Sequence, residues 1–242
     1  MHRSLILAAV LAAAAPAHAD WTGKGEAGLV IASGNTDTET ANAKLQMANE
    51  IGAWKHAFGA SGLYASDDEG TTAQRWEALA QSDYNFSPKT FWFGAGRYED
   101  DEFSGFEYQA TVSTGLGRKF IDTDVTKFVG TAGVGYKFFE TRDAFDDAGV
   151  LIAPGESDSE AVFRGTLDFD HHLTATTSVL DKLIVEAGSD NTFVQNDLSL
   201  QVKMNAVLAL AVGYSVRHNT DPPFGFEKTD TLTTINLVYE IK

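Results

Sequence analysis

From Trp21 to Lys242 apolar and polar positions alternate in short runs, separated by clusters of polar turn residues. In the clearest run Phe106, Tyr108, Ala110, Val112, Thr114 and Leu116 lie between Glu107, Gln109, Thr111, Ser113, Gly115 and Gly117. The last run repeats the pattern, with Thr233, Ile235, Leu237, Tyr239 and Ile241 on one face and mostly polar residues on the other. A period of two is that of a strand with one apolar face. The pattern predicts about twelve strands, near 21–33, 39–51, 53–66, 72–86, 91–99, 105–120, 127–140, 160–173, 179–188, 195–203, 207–218 and 230–242. Merging or splitting weak runs gives ten or fourteen instead. The expected fold is all-β, an antiparallel transmembrane β-barrel with lipid outside and a polar inside.

The connections alternate in kind. Short ones at Gly52, 87–90, 121–126, 174–178 and 204–206 take turns with longer, more acidic ones at 34–38, 67–71, 100–104, 141–159, 189–194 and 219–229. Membrane barrels show this asymmetry, with short periplasmic turns and longer outer loops. Aromatic residues fall near strand ends, as expected of two interfacial girdles. Trp21, Trp54, Tyr84, Phe86, Phe91, Trp92, Phe120, Phe128 and Tyr239 are expected at the periplasmic level. Tyr64, Trp76, Phe106, Tyr108, Phe138 and Phe163 are expected at the outer one. Alternation sends charge inward, for example Lys24, Glu26, Lys44, Arg75, Glu77, Asp83, Glu107, Gln109, Lys137, Arg164, Asp168, Lys182 and Glu186. Such an interior is either filled by cross-strand pairs or is the lining of a narrow wet pore.

Residues 1–19 have the form of a secretory signal: Arg3, an apolar stretch, then Ala17-His18-Ala19 before the expected cut. These nineteen residues hold one arginine and no acid, so 223 residues remain, with 17 Lys and Arg against 34 Asp and Glu. They are expected to form one barrel domain, 20–242. No later run is long and apolar enough for a membrane helix, which leaves closed strand pairing as the way to cross a bilayer. The acidic balance disfavours nucleic acid as a partner. Cysteine is absent, which excludes a disulfide framework and a thiolate metal site.

The segment 97–109 is the first candidate for chemistry. Arg97 precedes the carboxylates Glu99, Asp100, Asp101 and Glu102, followed by Phe103 and Phe106 around Gly105. Its readings are a hard-oxygen site for Ca or Mg, a bidentate Arg97–carboxylate pair, or a solvated hairpin. Asp67, Asp68 and Glu69 add to an acidic outer rim, with Asp143, Asp146, Asp147, Glu156, Asp158 and Glu160 in the longest loop. Such a rim attracts cations. It also keeps the chain from aggregating. In that loop Val150, Leu151 and Ile152 are expected either to fold inward as a plug or to lie against a partner. His172 shares a strand face with Asp168 and Asp170, whereas His171 points the other way. Neither a complete metal ligand set nor a Gly-x-Ser-x-Gly elbow accompanies them, so no catalytic residue and no cofactor is assigned. Gly94, Gly96, Gly133 and Gly135 are read as packing positions rather than a phosphate loop.

Several segments together resemble a family of proteobacterial outer-membrane proteins, domain of unknown function 481, often labelled salt-induced outer-membrane proteins. They are Ser33-Gly34-Asn35-Thr36-Asp37-Thr38, the stretch from Arg97-Tyr98-Glu99-Asp100 to Tyr108-Gln109, Gly115-Leu116-Gly117, Thr229-Asp230-Thr231-Leu232-Thr233, and the closing Asn236-Leu237-Val238-Tyr239-Glu240-Ile241-Lys242. The resemblance implies an outer-membrane barrel linked to ionic or osmotic conditions and brings no catalytic residues with it. The expected role is non-enzymatic, in envelope integrity or as a narrow, cation-preferring pore. The alternatives are an enzyme acting on envelope lipid or lipopolysaccharide, and a barrel whose loops bind a surface partner. The expected partners are outer-membrane lipid, lipopolysaccharide, small cations and, during insertion, the barrel-assembly machinery.

Overall fold

A computed structural model describes residues 21–32, 38–68, 70–102, 104–145, 149–223 and 225–241. The expected signal at 1–19, the Ser33 to Asp37 turn, Glu69, Asp146, Asp147 and Lys242 lie outside these residues. Twelve antiparallel strands close into one ring. They are β1 (Thr22–Ala32), β2 (Thr38–Ile51), β3 (Trp54–Asp67), β4 (Gly70–Asn85), β5 (Thr90–Asp101), β6 (Phe106–Asp122), β7 (Thr126–Thr141), β10 (Ser157–His172), β11 (Thr177–Ala187), β12 (Thr192–Lys203), β13 (Leu208–Asn219) and β14 (Thr229–Ile241). The seam pairs β1 with β14, Gly25 opposite Tyr239. Two short strands, β8 (Ala144–Phe145) and β9 (Leu151–Ala153), form a separate hairpin within the long connection between β7 and β10. Closure gives each of the twelve wall strands a partner on both sides, which is what a backbone needs in hydrocarbon.

The outer face is apolar because the alternating residues that face outward are apolar. Leu116, Val134, Phe163, Leu200, Val212, Ile235 and Leu237 are all exposed. Trp54, Tyr84, Trp92 and Tyr239 stand toward one end of the wall and Tyr64, Trp76, Tyr98 and Phe138 toward the other, each group exposed. These are the two expected girdles, and rings stack along them, as in Trp76 on Tyr98 and Tyr98 on Tyr108.

Two aromatic assignments and one charged one are corrected. Phe91 is 3% exposed and Phe106 is 5% exposed, and both face the interior. Phe91 shares the inward parity of Phe93 and Arg97, and its ring lies over Gly117, where any side chain would overlap it. Phe106 leaves the outward run of Tyr108, Ala110 and Val112 because the β6–β7 register shifts between Phe106 and Tyr108. An extra residue in a strand reverses the facing of whatever precedes it. The same shift turns Glu107 outward, where it pairs with Arg142 at 3.1 Å instead of lining the lumen.

Candidate functional site: a charged partition inside the barrel

Strand β5 sends Phe91, Phe93, Arg97, Glu99 and Asp101 inward on alternate positions. Arg97 is the hub. Its Nε and Nη2 donate to Glu77 Oε2 on β4 at 3.2 and 2.9 Å, and Nη2 also donates to Glu99 Oε2 at 2.5 Å. Its Nη1 lies 3.9 Å from Glu186 Oε2 on β11. Glu186 in turn accepts from Thr111 Oγ1 at 3.2 Å and lies 3.4 Å from Arg164 Nε on β10. Arg217 of β13 donates Nη2 to Glu99 Oε2, so this one carboxylate oxygen holds two guanidinium groups.

The Glu99–Arg217 bond spans the lumen. β5 and β13 stand six places apart in the ring of twelve, diametrically opposite. At the centre Phe193 of β12 is 2% exposed, with the guanidinium carbons of Arg97 and Arg217 4.9 and 5.2 Å from its ring centre and Lys137 Nζ 5.9 Å away. Cations over an aromatic face gain from its quadrupole, more so away from water. Arg97, Glu99, Arg164 and Glu186 are buried, and charges in such a place persist only as mutually paired groups.

The β5–β13 chord divides the interior. The network and Phe193 fill the interior beside β6, β7 and β10. Two polar cavities, of about 180 and 330 Å³, remain beside β2, β3, β4, β13 and β14, and the first reaches β11 and β12 as well. The first is lined by Glu26, Asn42, Lys44, Lys182, Asp197 and Asn236, among others. The second lies toward the long-loop end, beside Thr40, Thr72, Asp101 and Asp230. Arg75 and Arg217 line both, with Leu63, Ser215 and Leu232, so these residues mark the neck between them.

Loops narrow the long-loop end. A side chain at Gly105, whose φ is +79°, would meet Phe226 and Pro223 of the β13–β14 connection, so loops from opposite walls touch over the mouth. Arg142 ties the β5–β6 turn down, donating its backbone N–H to Gly105 O at 2.9 Å and Nε to Phe106 O at 3.1 Å. Glu160 accepts the Ser189 and Asp190 backbone N–H groups at 2.8 and 3.3 Å and pins the β11–β12 turn.

The residues expected to form one acidic motif therefore part company. Arg97, Glu99 and Asp101 belong to the interior. Asp100 faces outward, 3.8 Å from Arg142. Glu102 is exposed and accepts from Gln74 Nε2 at 2.5 Å. Asp67 Oδ1 accepts from the Gly70 backbone at 3.2 Å, and Asp68 is exposed in the same turn. Consecutive carboxylates on a strand point to opposite faces, so they cannot close on one ion. Among the described residues no three His, Asp or Glu side chains are grouped to hold a metal.

His172 meets Ser178 Oγ at 2.7 Å and Asp170 Oδ1 at 3.7 Å, both through Nδ1. A hydrolytic relay uses the two imidazole nitrogens for different partners, and this arrangement does not. His171, on the outer face, bonds Thr126 Oγ1 at 2.8 Å. Val150, Leu151 and Ile152 are exposed on or beside the β8–β9 hairpin and do not enter the lumen as a plug.

The sequence reading placed Glu77, Gln109, Lys137, Arg164 and Glu186 inward but missed Arg217 and Phe193. Arg217 was legible, since it continues the inward parity of Ala209, Ala211, Gly213 and Ser215. Phe193 fell before the expected start of its strand, and an aromatic residue at a strand end reads as a girdle residue.

Comparison with known proteins gives three findings. The model of the family described as "Protein of unknown function, DUF481" matches residues 25–241. "Uncharacterized protein YdiY" of Escherichia coli (strain K12) is 24% identical over 230 residues, covering 94% of this chain and 86% of its own. Among solved structures, the NanC porin superposes with a TM-score of 0.50 at 9% identity, over 91% of this chain and 99% of its own. The translocator domain of the autotransporter NalP from Neisseria meningitidis superposes with a TM-score of 0.52 at 10% identity, over 90% and 87%. At these identities the likeness is one of fold.

Proposed function

Because this chain belongs to the DUF481 family and folds as a closed barrel similar to that of a porin, we propose that it is a non-enzymatic outer-membrane protein that passes small ions through a narrow path and keeps the envelope tight under ionic stress. The observation that carries this reading is the Glu99–Arg217 partition across the lumen, with two polar cavities left beside it. A barrel filled all round would be inert to ions, and an open one would admit bulky solutes. Partial filling leaves room for ions and little else. Acidic groups toward the long-loop end, among them Asp68, Glu102 and Asp230, gather cations at the mouth.

The test is planar-bilayer recording of the folded barrel. Small discrete steps are expected from the wild type. Glu99→Gln removes the charge that joins opposite walls and should give larger or noisier steps. A silent wild type with an equally silent Glu99→Gln variant would overturn the pore reading and leave envelope integrity as the role to test, by antibiotic and detergent sensitivity of a deletion strain. Lipid turnover by the purified barrel, lost in His172→Ala, would overturn the non-enzymatic reading.

A further inference from the structure

The neck between the cavities holds a chemistry that the acidic mouth does not predict. Arg75 rises from β4 and Arg217 from β13, and both side chains line the same two cavities. Each guanidinium carries five N–H donors in a rigid fork. Arg75 makes no hydrogen bond among the described residues; its one ion-pair contact there is Asp101, 3.5 Å from Nη1. Among the described residues Arg217 makes one hydrogen bond, through Nη2 to Glu99. The nearby carboxylates are already engaged, Glu77 and Glu99 by Arg97, and Glu186 by Arg97 and Arg164. Unspent guanidinium donors therefore face one small polar space from two walls.

We propose that Arg75 and Arg217 form a seat for a small oxyanion, a carboxylate, sulfate or phosphate group, at the neck of the lumen. Guanidinium forks match the paired oxygens of such groups, and charge-assisted bonds of this kind are the strong ones. The seat deepens the pore reading above and rests on it for its effect on conduction. At an empty neck the two guanidinium charges are offset by Asp101 and Glu99. An oxyanion bound there adds negative charge to the path of cations gathered at the mouth. Permeation would then depend on the anion of the salt as well as on its concentration.

Binding and conduction are measured separately. Equilibrium dialysis of labelled sulfate and labelled acetate against the folded barrel, at fixed ionic strength, should show one saturable site per chain. Arg75→Gln should weaken it at least tenfold. Arg75→Lys keeps the charge without the fork and should weaken it less, which covers the case in which Arg75→Gln does not fold. Asp100→Asn, on the outer face, should leave it unchanged. In bilayers, replacing chloride by sulfate should change wild-type conductance and leave Arg75→Gln indifferent. Saturable binding in a barrel that never conducts would uphold the seat and sink the pore. Absence of saturable binding of either ion, or equal binding by Arg75→Gln, would overturn the seat even in a conducting barrel. Binding of sulfate but not acetate, or the reverse, would uphold the seat and identify which oxyanion it takes.

Discussion

Glu99 shows how much can hang on one side chain. Its Oε2 accepts from Arg97 and Arg217, and both guanidinium groups lie against Phe193. Replacing it by alanine leaves two buried cations short of a partner, a change that costs about 3–5 kcal/mol when one member of a buried pair is lost. The expected outcome is a markedly lower midpoint of urea unfolding in detergent, read by the heat-modifiable shift on a gel. Gly117 makes the same point by steric means. The Phe91 ring lies where its side chain would be, so Gly117→Val should destabilise by about 1–3 kcal/mol, as overpacking does. Gly94 faces outward with no close backbone opposite, so Gly94→Ala should leave the same midpoint unmoved.

At the scale of the element, the strand period decides which groups meet. Five consecutive residues of β5, Arg97 to Asp101, look like one charged motif in the sequence. The pleat sends Arg97, Glu99 and Asp101 to the lumen and Tyr98 and Asp100 to the other face. The shifted register near Phe106 then moves Phe106 inside and Glu107 out, which alternation alone does not foretell. Neutralising Asp101 should therefore alter conduction, whereas neutralising Asp100 should alter only the Arg142 contact at the rim. The β13–β14 connection is the other element to test. It reaches Gly105 over the mouth, so shortening it within 221–227 should raise single-channel conductance without moving the unfolding midpoint.

For the whole molecule, the wall is uniform and the lumen is not. The outer belt must stay apolar all round, since each strand meets lipid. Ile235→Arg, at the middle of β14 on the exposed face, should cost about 2–4 kcal/mol, the range for a charge on the lipid face at the midplane. It should lower the yield of folded barrel in the outer-membrane fraction on a density gradient. A serine at Ser215, on the lumen side of β13, shows that polar groups are tolerated only a few ångströms away, across the wall. Inside, the space beside β6, β7 and β10 is filled, whereas the rest keeps two cavities. The sequence by itself determined the all-β barrel class with about twelve strands, most of their inward and outward faces, the apolar belt and the alternation of short and long connections. These follow from period-two patterning and turn chemistry, which act between residues close along the chain. Which interior charges pair, which part stays hollow, and that Arg75 and Arg217 share the neck were decided by closure of the ring. Glu99 and Arg217 are 118 positions apart, and nothing local relates them. They meet because a twelve-strand circle sets the fifth strand of the chain across from the strand that carries Arg217, and because a buried charge must find a partner wherever closure brings one within reach.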